Sequence, residues 1–155
     1  MEHYLSLIEG VEETTVGYAN SDIPSPSYED LKAHRSSASE TVEVLYDETR
    51  VSLNEILELF FLIIDPTLKD RQGHDIGHQY RTGIYYVNEE DLPVIEAALE
   101  TLQKKYSEPI LTELLPLENF TVAEEYHQDY LIKNPQGYCH VDPKMFEFVK
   151  RYKKN

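Results

Sequence analysis

Apolar positions change their spacing several times along the chain, and each change marks an element. Leu53, Ile56, Leu57, Phe60, Ile63 and Ile64 recur at helical intervals behind Ser52, with Glu55 three residues on. This spacing predicts a capped helix that ends at Asp65-Pro66. Tyr4, Leu5 and Ile8 share one face of a shorter helix over Met1–Ile8, stopped by Gly10. Val11–Tyr18 is Val/Thr-rich and Thr41–Tyr46 alternates, so both predict strands. Thr82–Val87 is apolar on both faces and predicts a central strand. Leu92–Lys105 follows Asn88–Asp91 as a second long helix, with Pro93 tolerated in its first turn. Ile110–Leu115 predicts another strand. Phe120–Asn134, built around AEEYHQDYLIKN, predicts a third helix, and Met145, Phe146 and Val149 predict a short peripheral one within 143–155. The order β–β–α–β–α–β–α implies an α+β two-layer sandwich, with helices packed on a mixed sheet.

Between the first two strands, Ala19–Ser39 is irregular. Pro24 and Pro26 interrupt it, and Tyr28–Ala33 suffices only for a helical turn. Tyr28 is the one large aromatic there. It either plugs the loop onto the core or faces a pocket.

Size and charge narrow the function classes. A chain of 155 residues fits one domain. Its 29 acidic against 14 basic residues give a net charge of −15, which disfavours nucleic acid and anionic membranes as partners. The longest wholly apolar run, Leu59–Ile64, is too short to span a bilayer, and the N-terminal residues do not form a signal peptide. A single cysteine, Cys139, fits a reducing compartment, so a cytoplasmic location is expected.

Candidate chemistry centres on Gln72–Tyr86, where a Gly-containing polar loop runs into an aromatic strand. His74, Asp75 and His78, with His127, have spacing that could hold a metal, but the loop fixes no ligand geometry, solvated or hydrogen-bonded histidines account for them more simply, and no metal is expected. Tyr28, Glu40, Asp75 and Tyr80 could donate protons to a substrate oxygen if they converge. Cys139 lies in a polar turn, NPQGYCH, where a thiol is accessible for exchange.

Taken in order, VGY at Val16–Tyr18, Pro-Ser-Tyr ending at Tyr28, Glu40-Thr41-Val42, Asp65-Pro66, Gln72–Arg81, AEEYHQDY and KNPQGYCH resemble the peptide methionine sulfoxide reductase A family from Met1 to about Asp142. The resemblance implies a ferredoxin-like sandwich over 1–142 and reduction of the S epimer of methionine sulfoxide, free or in proteins. It implies Glu40 as the acid that protonates the sulfoxide oxygen. Tyr28 and Tyr80 would be its hydrogen-bond donors, with Asp75 in the same pocket. Cys139 would be a resolving cysteine whose disulfide thioredoxin reduces, with no bound cofactor.

The chain departs from the family in one large respect. The family's nucleophile lies in Gly-Cys-Phe-Trp, which does not occur here; the sequence has no Trp and no cysteine other than Cys139. Met1–Tyr4 matches the residues just after that segment, so the first strand is expected to be missing and the chain inactive as it stands. Ala38-Ser39 also stands where the family usually has His-Ala. Two readings remain open: a truncated reductase, or an inactive derivative that binds methionine sulfoxide or thioredoxin.

Overall fold

The computed structural model describes residues 1–135 and 141–152. Helix α1 (Glu2–Ser6) leads into β1 (Val11–Ala19) through Gly10, whose φ of 100° suits the turn. After the irregular stretch, α2 (Tyr28–Lys32) is opened by Ser27 and Asp30, each side chain bonding the other's backbone N–H. β2 (Ser39–Tyr46) then returns antiparallel to β1, with Val16 opposite Val42 and Tyr18 opposite Glu40. Helix α3 (Leu53–Phe61) carries the expected Ser52–Glu55 capping box. It ends one turn early, leaving Ile63 and Ile64 buried in the connection that follows.

A two-residue hairpin, β3 (Arg71–Gln72) and β4 (Asp75–Ile76), turns at Gly73, whose positive φ of 57° a glycine adopts without strain. A 3₁₀ turn (His78–Tyr80) precedes β5 (Gly83–Tyr86). Helix α4 (Leu92–Gln103) and β6 (Glu113–Pro116) complete a β–α–β unit in which β5 and β6 are parallel. β7 (Phe120–Val122), α5 (Tyr130–Lys133) and α6 (Pro143–Arg151) close the described chain.

The α+β architecture expected from the sequence is present, with both antiparallel and parallel pairings. They occupy separate ladders, β2-β1-β7 and β5-β6, which share no backbone strand pairing among the described residues. Tyr4, Leu5, Ile56 and Leu59 form the main core between α1 and α3, joined by Val149 from α6. Leu57, Ile95 and Ala98 form a second core where α3 and α4 meet β5.

Two expectations are corrected. Among the described residues β5 is not a central strand: it pairs only with β6, and Gly83–Tyr86 stay half-buried. Its apolar residues Ile84 and Tyr86 pack on the α3–α4 core, which explains the hydrophobicity without a second neighbouring strand. The helix expected over Phe120–Asn134 is reduced to its last turn, α5. Phe120–Val122 pairs with β1, Glu125–His127 makes one 3₁₀ turn, and Asp129 takes the left-handed conformation at φ 51°. Long-range bonds prevail over local helical spacing here. The Gln128 amide accepts from the Val16 N–H at 2.9 Å and donates to the Val16 carbonyl at 2.8 Å, and the Asp129 N–H donates to Glu2 at 2.7 Å.

Candidate active site

Four sequence-predicted residues from four different segments line one cleft of about 620 Å³: Tyr28 at the start of α2, Glu40 on β2, Asp75 on β4 and Tyr80 at the end of the 3₁₀ turn. Glu40 is half-buried. Burial, then the neighbouring Asp75 charge, push its carboxyl up to about 7, against the opposing effect of a hydrogen bond from Tyr80. Tyr80 also hydrogen-bonds Tyr28, and its phenol is raised by burial and the Glu40 charge, so it stays a protonated donor at neutral pH. Asp75 is raised by burial.

Backbone geometry holds these groups. Arg81, next to Tyr80, is pinned by Glu113 at 3.0 Å and by the His78 carbonyl at 2.9 Å. Buried Gln72 closes the hairpin loop onto Asp65 through two 3.3 Å bonds. The buried Ser39 hydroxyl reaches the Arg81 carbonyl at 3.5 Å, linking the base of Glu40 to the Tyr80 turn. Tyr28, left open above, faces the pocket: its ring lies 4.7 Å from that of His127 while its flank packs near Tyr18 and Leu31.

Two further contributors take roles the sequence did not assign: Glu124 was not singled out, and His127 was considered only as a metal ligand. Glu124 accepts the Tyr18 hydroxyl at 2.9 Å and the Tyr28 backbone N–H at 3.0 Å, so one carboxylate ties β1 to the start of α2. His127 lines the cleft beside Tyr28, and burial lowers its pKa, which favours the neutral ring. Its Nε2 is buried without a hydrogen-bond partner among the described residues, with Glu124 3.6 Å away. Both belong to AEEYHQDY, the segment misread as helix, and its density of polar side chains was the available clue.

The histidines of the focal loop do not join them. His78 is exposed and pairs with Asp70 at 3.0 Å, and His74 is exposed. Among the described residues, no group of three or more His, Cys, Asp or Glu could hold a metal ion. No helix among them is long and apolar enough to cross a membrane. Cys139 lies outside the described residues.

The peptide methionine sulfoxide reductase family model matches residues 1–155. The chain belongs to that family. A peptide methionine sulfoxide reductase MsrA from Mycoplasma pneumoniae is 51% identical over 140 residues, covering 90% of this chain and 89% of the relative. Reduced Mxr1 from Saccharomyces cerevisiae superposes with a TM-score of 0.83 at 38% identity, covering 89% of this chain and 81% of Mxr1. Mxr1 in complex with Trx2 aligns with a TM-score of 0.54 at 24% identity over 79% of this chain and 68% of Mxr1, a likeness of fold. Within this reductase family, the carboxyl–phenol cleft is the natural place to look for sulfoxide chemistry.

Proposed function

We propose that the cleft binds the S epimer of methionine sulfoxide and activates it for reduction, with Glu40 as the general acid. The observation that carries this reading is a carboxyl poised at about 7 and bridged to two phenols in a partly apolar cleft. A sulfoxide sulfur is a poor electrophile until its oxygen takes a proton. A half-protonated acid at neutral pH supplies that proton, and Tyr28 and Tyr80 donate hydrogen bonds to the same oxygen. Asp75 sustains the raised pKa of Glu40 through its charge.

Reduction then needs a thiolate at sulfur. That thiol takes the oxygen as a sulfenic acid and methionine leaves; a second thiol displaces water to form a disulfide, which a dithiol reduces. Cys139 matches the second, resolving position. The Mxr1–Trx2 complex supports thioredoxin as the reductant. With Cys139 as its only thiol, the 155-residue chain should bind sulfoxide without turning it over.

Two measurements test this. Titration with N-acetylmethionine sulfoxide should show binding of the S epimer that weakens as pH rises through about 7, since ionised Glu40 repels the sulfoxide oxygen, and loss of that pH dependence in Glu40→Gln. Placing Gly-Cys-Phe-Trp with an upstream strand ahead of Met1 should switch on reduction of the S epimer only. In that protein Glu40→Gln should slow the sulfoxide step about 10²–10⁴-fold. Cys139→Ser should spare one turnover and stop thioredoxin-driven recycling. Binding of neither epimer, or an inactive extended protein, would overturn the proposal. Turnover by the unextended chain that Cys139→Ser abolishes would reassign Cys139 as nucleophile.

A further inference from the structure

Behind the acid and its phenols stands a carboxylate that the sulfoxide reading leaves unused. Glu113, at the start of β6, accepts from the Arg81 guanidinium on one oxygen at 3.0 Å and from the Tyr85 hydroxyl on the other at 2.7 Å. Arg81 directly follows Tyr80. The Tyr85 hydroxyl also meets the hydroxyl of Ser39, which directly precedes Glu40. One carboxylate thus holds the chain beside Tyr80 and the chain beside Glu40. The Arg81 side chain is only 12% exposed, so the pair is not the solvated surface kind that contributes little. β6 gives it a firm base: the Glu113 N–H donates to the Thr82 carbonyl at 3.0 Å, and the Thr82 and Thr112 hydroxyls meet at 3.0 Å. Gly83 makes room for the network. It shares a face of β5 with Tyr85, and a Cβ there would stand 2.6 Å from the Tyr85 hydroxyl oxygen. The phenol folds back along the strand to Glu113 because residue 83 has no side chain.

We infer that Glu113 is a positioning residue for the sulfoxide chemistry: through Arg81 and Tyr85 it fixes the Tyr80 phenol against the Glu40 carboxyl. This role rests on the reading of Glu40 as acid and Tyr80 as hydrogen-bond donor, and adds the group that sets their separation. Glu113 works through its neighbours and not on the reacting atoms. Its charge is not the agent either. The groups that act on Glu40 are Asp75 from β4, Tyr80 from the 3₁₀ turn and Glu124 after β7, and Tyr18 stands opposite it on β1. Arg81 and Glu113, paired with each other, are not among them. The Tyr80 hydrogen bond holds the Glu40 carboxyl lower than its burial and acidic neighbours alone would set it. A change of position therefore has a signature with a sign. If Tyr80 swings away, Glu40 loses a donor that favours its ionised form, and its titration moves up. If the cleft merely loosens, water enters, burial is relieved and the titration moves down.

The test follows the Glu40 carboxyl by carbon-13 NMR across pH in the ligand-free 155-residue chain, so its outcome is read separately from sulfoxide binding. From a midpoint of about 7, Tyr80→Phe should raise the titration by about half a pH unit or more. Glu113→Ala should raise it by roughly half of that shift or more, and should add nothing when combined with Tyr80→Phe. Glu113→Gln should stay near the unmodified midpoint, because its amide oxygen accepts from Arg81 while its amide N–H donates to the Tyr85 oxygen. Gly83→Ala displaces only the end of a flexible side chain. It should shift the midpoint in the same direction, and it decides the matter if Glu113→Ala does not fold. An unmoved or lowered midpoint in the deciding variant overturns the proposal, as does full additivity with Tyr80→Phe. A Tyr80→Phe protein whose Glu40 titrates unchanged also overturns it, because Glu113 would then have no bond to position. A midpoint in Glu113→Gln as high as in Glu113→Ala would assign the effect to charge, and that overturns it too.

Discussion

Glu124 performs two tasks with one carboxylate, accepting the Tyr18 hydroxyl on one oxygen and the Tyr28 N–H on the other. Glu124→Leu leaves the Tyr28 N–H and the Tyr18 hydroxyl without their acceptor. The expected cost is about 1–3 kcal/mol, read by urea unfolding, together with weaker sulfoxide binding as Tyr28 loses its anchor. At Gly17 the constraint is steric: a Cβ would run into the Phe120 ring, which covers the glycine from β7. Gly17→Ala should therefore destabilise by about 1–3 kcal/mol, seen as a lower melting midpoint. Neither residue advertises itself locally, because each is set by a partner roughly a hundred positions away. Tyr28, Glu40, Asp75 and Tyr80 were legible through the ordered motifs, yet only folding brings them into one cleft.

Elements whose determinants are local were the ones the sequence revealed. The Ser52–Glu55 box starts α3 with both reciprocal bonds, the Ser52 hydroxyl accepting at 3.1 Å and Glu55 accepting at 3.2 Å. Ser52→Ala should cost about 1 kcal/mol and lower the melting midpoint by roughly 2–4 °C. The segment AEEYHQDY shows the opposite case. Its spacing suits a helix, but Glu124 and Gln128 direct their side chains to the backbones of α2 and β1. Such bonds leave no periodic trace. β5 was misplaced for a related reason: apolar residues on both faces announce burial, without saying that one side is a helix layer and the other a cleft.

For the whole molecule, a carboxyl held at about 7 makes stability depend on pH. The group ionises near 4.5 when unfolded. Below that value both states hold the proton and the contribution is intact. Between about 4.5 and 7 the folded state alone retains it, so stability falls as pH rises, and above 7 the contribution is gone. The loss is of the order of 2–3 kcal/mol. Glu2 and Asp75, also raised by burial, act in the same direction. Asp22, Asp30 and Asp47, lowered by hydrogen bonds, act with opposite sign at more acidic pH. Urea unfolding should therefore show more stability at pH 5 than at pH 8, and Glu40→Gln should flatten that difference.

The ladder between β1 and β7 has a kinetic consequence. Pairing Gly17 with Val122 and seating Gln128 on Val16 closes a loop of more than a hundred residues. Contacts of such long range form late, because the chain loses loop entropy before it gains their bonds. The helices can assemble while Tyr28 and His127 are still far apart. In stopped-flow refolding, far-ultraviolet ellipticity should recover first, and the near-ultraviolet signal of the packed tyrosines should follow in a separate, slower phase. During that interval the protein would have its secondary structure but no cleft.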